Sequence, residues 1–319
     1  MGKVYPKVSI VTPSFNAMPY IKETIKSIHS QNYPNLEHII FDGASTDGTS
    51  DWIRENYPEI DYTSEKDRGQ SHALNKGFSK ASGEIIGWLN ADDTYEPNSI
   101  QTAVDFLMEH PEYDLVCSDL NIIDEKSNKV GITLSEPFHV EGLFLDNKVK
   151  QPTVFMRKRV IEALNGLDER YHYVMDREFW LRVGIAGYKM YYMEGVRLAN
   201  FRLIQGTKSF EDVPNFRNEW YEVMKKAFKD PFFNHISSKQ RKTILSKNRG
   251  AYHMSKMIQS IDSKERVQMV SHMYKAVQKN KSLILNRGFW KFFFLGITGM
   301  NSDRIRKFKK LQSLNSNAK

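Results

Sequence analysis

Five short runs rich in β-branched and aromatic residues, VSIVTP (8–13), EHIIFD (37–42), IDYTSE (60–65), EIIGWL (84–89) and DLVCSD (114–119), punctuate the N-terminal part of the chain at a near-regular pitch. Between them the apolar spacing switches to the helical period. Ile21, Ile25 and Ile28 follow Pro19, Ile100, Val104 and Leu107 follow Pro97, and the segments 48–56 and 69–81 supply two further helices. Strands separated by helix-length crossovers pair in parallel, so the expected fold is α/β, a doubly wound and mostly parallel sheet.

In such sheets ligands bind beyond the carboxyl ends of the strands, and the unusual residues of this chain sit there. Pro13-Ser14-Phe15-Asn16 follows the first strand, DGASTDGT (42–49) the second and NADD (90–93) the fourth. In the second loop small residues allow a tight turn, with Ser45 or Asp47 able to cap the next helix. Asp42, at the strand end, can instead accept the imide N–H of a uracil or thymine base. Asp92 and Asp93 end a buried strand, where a carboxylate needs a metal, a cation or water. They serve either as caps or lysine partners, or Asp92 holds Mg2+ or Mn2+ against a departing diphosphate while Asp93 supports the loop.

Two further stretches carry candidates. EKDRGQSHALNKGFSKASGE (65–84) sets Asp67 and Arg68 before a helix with Ala73, Gly77 and Ala81 on one face. That is either a capped helix packed closely on the sheet, or a helix whose leading residues line a nucleotide pocket. In YVMDREFWLRVGIAGY, Phe179, Trp180 and Val183 read as core. Asp176 at the helix start is an N-cap or a general base whose ionised form the helix dipole favours, with Glu178 as second candidate. Neither Gly-x-Gly-x-x-Gly nor a Gly-Lys-Ser/Thr loop occurs, which argues against dinucleotide and P-loop chemistry.

From 120 onward the pattern changes: NIIDEKSNKVG suggests a hairpin, and residues 151–194 read as strand, helix, loop, helix, strand. With 319 residues, 40% of them hydrophobic, the chain can bury a full core. A single Cys117 leaves no intrachain disulfide or multi-cysteine zinc site and fits a reducing cytoplasm. Any metal would take oxygen ligands. The start, MGKVYPKVSIVTPSF, lacks a signal-peptide pattern, and no run approaches the roughly 18–20 apolar residues of a membrane span.

Charge divides the chain unevenly. Residues 217–319 hold 23 of the 46 Lys+Arg but only 6 of the 38 Asp+Glu. The expectation is a catalytic domain over 1–215 and a helical, basic region over 216–319. Its GFWKFFFLGITGM and RIRKFKK segments suit either a helix covering the main domain or, over 286–310, an interfacial element at an anionic membrane. Nucleic acid is not expected as a partner, because no recognition motif is present.

Together, VSIVTPSFNAMPYIKETIKSIHSQNYPNLEHIIFDGASTDGT, SEKDRGQSHALNKGFSKASGEIIGWLNADDTY and LDERYHYVMDREFWLRV cover about residues 5–210 in order and resemble the bacterial glycosyltransferases of family 2. The resemblance implies the GT-A fold and an inverting transferase of cell-surface polysaccharide synthesis, hexosyl or N-acetylhexosaminyl. It would use a nucleoside diphosphate sugar, UDP-linked by preference, and a saccharide or lipid-linked acceptor. It also implies Mn2+ or Mg2+ on Asp92, Asp176 as base, and a nucleotide site of Pro13, Asn16, Asp42, Asp67, Arg68 and Asn90. The chain departs from the family at Asn90, where the first acid of an Asp-x-Asp motif stands, and at Ile204 in FRLIQGTKS, in a His position. Arg202 and Lys208 remain as diphosphate contacts. The expected location is cytoplasmic, peripheral on the inner face of the membrane. The alternatives are a sugar-nucleotide nucleotidyltransferase and a degenerate nucleotide-sugar-binding scaffold.

Overall fold

The computed structural model describes residues 5–204, 212–263, 265–285 and 288–290, and the chain divides between Ile204 and Gln205 into two compact units. Lys208, and all of the 286–310 segment except 288–290, lie outside the described residues.

The first unit begins as four parallel strands. β1 (Val8–Ser14) is central, with β2 (Leu36–Asp42) and then β3 (Asp61–Ser64) on one side and β4 (Ile85–Trp88) on the other. Three helices, α1 (Ile21–His29), α2 (Thr49–Asn56) and α3 (Gln70–Lys80), connect them. β1 is buried along its whole length, as a strand covered on both faces must be. The expected stripe Ile21, Ile25 and Ile28 is fully buried; Ile21 and Ile25 pack with Ile40, Ile53 and Ile60.

The sheet then becomes mixed. After β5 (Thr94–Tyr95) and α4 (Ser99–Glu109), β6 (Leu115–Ile123) forms a hairpin with β7 (Lys129–Thr133). β8 (Phe155–Arg157) inserts antiparallel between β4 and β6, and α5 (Lys158–Ala163) and α6 (Met175–Ile185) lead to β9 (Met190–Arg202), which runs parallel to β6. The strand order is β3-β2-β1-β4-β8-β6-β9-β5. Ile100, Val104 and Leu107 of α4 pack with Ile10, Ile85, Val116 and Phe155, so one core supports both halves of the sheet.

The small-residue face of α3 has a steric cause. A Cβ on Gly77 would stand 2.3 Å from Val11 Cγ1, so the helix reaches β1 only because no side chain intervenes.

The second unit contains α7 (Val213–Ala227), α8 (Ser238–Asp262) and α9 (Arg266–Lys279). Ser237 and Gln240 form a capping box at the start of α8, and Met257, Met269, Ala276 and Phe289 share a small core. Among the described residues no helix is long and apolar enough to cross a membrane.

Candidate functional site

The parallel register brings Ser14, Asp42 and Ser64 side by side at the ends of β1, β2 and β3. Asp42 is 1% exposed; its carboxylate accepts from the Ser45 backbone N–H at 2.8 Å, the Ser45 hydroxyl at 2.5 Å and the Ser64 hydroxyl at 2.8 Å. It therefore shapes the rim of the cleft from inside. The loop it holds is stitched to the one after β1. Asn16 donates its backbone N–H to Ser45 Oγ at 2.7 Å and accepts from Thr46 N–H at 2.9 Å through Oδ1, while Met18 N–H donates to Asp47 at 2.9 Å. Burial opposes ionisation of Asp47, yet the bonds from Thr49 and Met18 outweigh it and hold that carboxyl below its usual range. Pro13 is buried in β1 opposite Phe41.

Asp67 joins the same rim. A Cβ on Gly43 would lie 2.8 Å from Asp67 Oδ2, so the two loops approach closely at residue 43. The other oxygen of Asp67 accepts from Gly69 N–H at 2.7 Å. Arg68 reaches out to Glu169 at 2.6 Å, and both line an open groove of about 580 Å3 along α3, together with Phe41, His72 and Lys76. Neither Asp92 nor Asp176 lines that groove.

Asn90 lies at a junction. Its Oδ1 accepts from Gln70 Nε2 at 2.7 Å and Trp88 Nε1 at 2.9 Å, and its Nδ2 donates to Asp93 and Gln151, each at 3.3 Å. With donors and acceptor so engaged, Asn90 orders the loop. Asp93 is fully buried and accepts from Arg202 N–H at 3.1 Å. Burial, reinforced by the neighbouring Asp92 charge, pushes its carboxyl well above the usual range. Asp92 is half-buried, and burial raises its carboxyl too, against the pull of Arg202.

Arg202 lies beneath the Asp92 loop. Its side chain has no exposure, and its guanidinium donates to the Asp92 carbonyl at 2.9 Å, the Asp124 carbonyl at 3.2 Å, Ser127 Oγ at 2.8 Å and Glu23 at 2.8 Å. A cation committed to those acceptors beneath the loop fixes the backbone that carries Asp92.

Asp176 lies in the first turn of α6, whose N-cap is Val174 with no side-chain cap, so the capping role is not the one it plays. Its Oδ2 accepts from Asn147 Nδ2 at 3.0 Å. Burial raises the carboxyl, although Arg177 and Asn147 favour the charge. Glu178 is not a comparable base: it is 5% exposed and makes two 3.0 Å bonds to Arg182, which also donates to the carbonyls of Leu164 and Gly166.

Residues 147–151 join these parts and were missed in the sequence. Gln151 accepts from Asn90 and donates to the Trp88 carbonyl at 2.6 Å, and Asn147 holds Asp176. The available signal was an amide side chain directly before the proline of the apolar QPTVF run. Lys150, between them, is half-buried, and burial lowers its ammonium.

No group of three His, Cys, Asp or Glu residues that could enclose a metal exists among the described residues. A single desolvated carboxylate at Asp92 does fit a hard divalent ion that draws most of its oxygens from a phosphorylated ligand and water.

Residues 9–161 match the family model described as Glycosyl transferase family 2. The chain is 28% identical over 231 residues to the putative teichuronic acid biosynthesis glycosyltransferase TuaG of Bacillus subtilis (strain 168), covering 68% of this chain and 86% of that protein. An uncharacterized glycosyltransferase of Rickettsia conorii is 36% identical over 126 residues, 39% of this chain and 21% of its own length. Among solved structures, S. aureus TarS 1–349 in complex with UDP-GlcNAc is similar with a TM-score of 0.62 at 15% identity, over 86% of this chain and 81% of that one. The mannosyltransferase PcManGT from Pyrobaculum calidifontis, in complex with GDP-Man and Mn2+, is similar with a TM-score of 0.60 at 19% identity, over 96% and 88%. These likenesses show the fold.

Proposed function

We propose that the protein, which matches the family 2 glycosyltransferase model over residues 9–161 and has a GT-A fold, is an inverting transferase that moves a sugar from a nucleoside diphosphate donor to a saccharide or lipid-linked saccharide acceptor. The observation that carries the reading is that the segment 147–151 bonds the half-buried Asp176 through Asn147 and, through Gln151, the Asn90 of the loop that bears Asp92. A UDP donor is the first choice. It is supported by the UDP-GlcNAc bound to the similar TarS. A role in cell-surface polysaccharide synthesis is supported by the likeness to TuaG.

In this reading Asp176 accepts the proton of the acceptor hydroxyl as its oxygen bonds to the anomeric carbon. The bond from that carbon to the diphosphate oxygen breaks, and the nucleoside diphosphate leaves with the electron pair. One displacement inverts the anomeric centre. Asp92 would hold Mn2+ or Mg2+, which when bound neutralises charge on the diphosphate. Asn90 keeps the loop in place, Asp67 and the loops at Asn16 and Asp42 frame the base and ribose, and Arg68 closes one side of the frame. Lys208 is a candidate for the diphosphate.

Release of nucleoside diphosphate from a panel of UDP-, TDP-, GDP- and CDP-sugars, with and without Mn2+, tests this. Metal-stimulated release from one donor class is expected, whereas exchange of pyrophosphate into nucleotide would favour a nucleotidyltransferase and silence across the panel a binding scaffold.

We extend the proposal to location: the basic region 216–319 brings the enzyme to an anionic lipid surface, where a lipid-linked acceptor would reside. Co-sedimentation with phosphatidylglycerol vesicles should be strong at low salt and fall as salt rises; retention that is indifferent to salt would contradict it.

A further inference from the structure

Asp176 can act as a base only if its carboxylate is held in one orientation relative to the donor, and what α6 contributes to that is the backbone N–H of Arg177 and of Asp176 itself. The side chain that holds it comes from a separate segment. Asn147 Nδ2 donates to Asp176 Oδ2 at 3.0 Å, and this is the only side-chain hydrogen bond Asn147 makes among the described residues. The amide oxygen of Asn147 is buried without a partner there. A buried unpaired acceptor is a cost to folding, which the contact with Asp176 makes intelligible.

The segment carrying Asn147 is fixed at its far end. Gln151 accepts from Asn90 at 3.3 Å and donates to the Trp88 carbonyl at 2.6 Å. Two residues on, Thr153 Oγ1 bonds the carbonyls of Lys150 at 2.8 Å and Ser118 at 3.1 Å, which ties the turn to β6. Residues 147–151 thus form a strap with the base at one end and the donor loop at the other.

We propose that Asn147 is the positioning residue for Asp176, its Nδ2–H fixing the carboxylate's orientation while Gln151 anchors the same strap to Asn90 and so to the donor loop. The inference rests on Asp176 being the base. It adds a residue outside all the motifs that announce the site, and it explains how two acids far apart in sequence keep a set relation.

The charges around Asp176 are few. Arg177 lies beside it on α6 and donates to the Leu143 carbonyl. The strap brings Lys148, paired with Glu136 at 3.0 Å and Asp146 at 3.3 Å, and Lys150, whose ammonium donates to the Asn147 carbonyl at 3.3 Å. Loss of the Asn147 donor leaves Arg177 as the principal group favouring the charged form.

Carbon-13 carboxyl NMR titration of aspartate-labelled full-length protein tests this without a substrate, with Asp176 identified as the resonance missing from D176N. In Asn147→Ala the Asp176 midpoint should move up by about one pH unit, the size expected for losing one hydrogen bond to a charged group. Asn147→Asp keeps the shape and guards against a folding defect in the alanine variant; the second carboxylate should raise the shared titration further. An Asp176 midpoint unchanged in both variants overturns the inference. The parent reading fails separately, if D176N still releases nucleotide from the donor at the wild-type rate.

Discussion

Asp176→Asn is expected to reduce sugar transfer by about 10^3-fold or more, in line with the loss of a positioned general base, while donor affinity stays within about twofold. The substitution preserves shape and can still meet Asn147 through its own amide, so the structural cost is small. The carboxyl it replaces is held up by burial despite Arg177 and Asn147. As a base it must be ionised, so the wild-type rate should fall as pH drops through a midpoint above the usual carboxylate range. Its stability linkage has the same origin. A raised folded pKa means that the folded state binds the proton more tightly than the unfolded one, so this group's contribution declines as pH rises from the ordinary carboxylate value through the raised one. D176N should therefore be as stable as wild type or more so at neutral pH, with any advantage gone in acid. Steady-state kinetics and thermal melts over a pH series check both; a variant that loses donor binding along with turnover would show that Asp176 shapes the nucleotide site instead.

Asp92→Ala should have the other large effect, on metal-dependent nucleotide binding. Asp92 is the one acid of the NADD loop placed to bind an ion, because Asp93 is sealed below and Asn90 is spent on Gln70, Trp88, Asp93 and Gln151. Removing a direct ligand should cost more than the roughly 10–100-fold that loss of a residue merely orienting a ligand costs. The fold should tolerate the change. Burial raises the Asp92 carboxyl, so in the ligand-free protein its charge opposes folding at neutral pH, and the variant should melt at an equal or higher temperature.

The parallel half of the fold was legible because its signals are local. β1, β2 and β4 are short, largely apolar runs and β3 a Tyr- and Thr-bearing one, each crossover carries helical spacing, and the register of parallel strands then places Asn16, Asp42 and Asp92 at one edge without further information. The later part was not, since antiparallel β8 has three residues and slips between β4 and β6 through contacts distant in sequence. The same limit governs the site. Acids at strand ends and helix starts stand out as residue types in unusual places. Whether a charged group also braces the protein depends on what surrounds it, as Arg202, a plausible phosphate contact in sequence, does under Asp92. Asn147 and Gln151 were invisible for the converse reason: amides in a loop have no periodicity, and their meaning lies in partners 29 and 61 residues away.

Isothermal calorimetry of UDP, TDP, GDP and CDP, each with and without Mn2+, against wild type and Asp92→Ala tests the central claim most directly. Binding of UDP or TDP that requires Mn2+ in wild type and is lost in the variant is the predicted result. Binding of equal strength with and without the ion, unchanged by the substitution, would contradict it and assign neutralisation of the diphosphate to the protein's own cations.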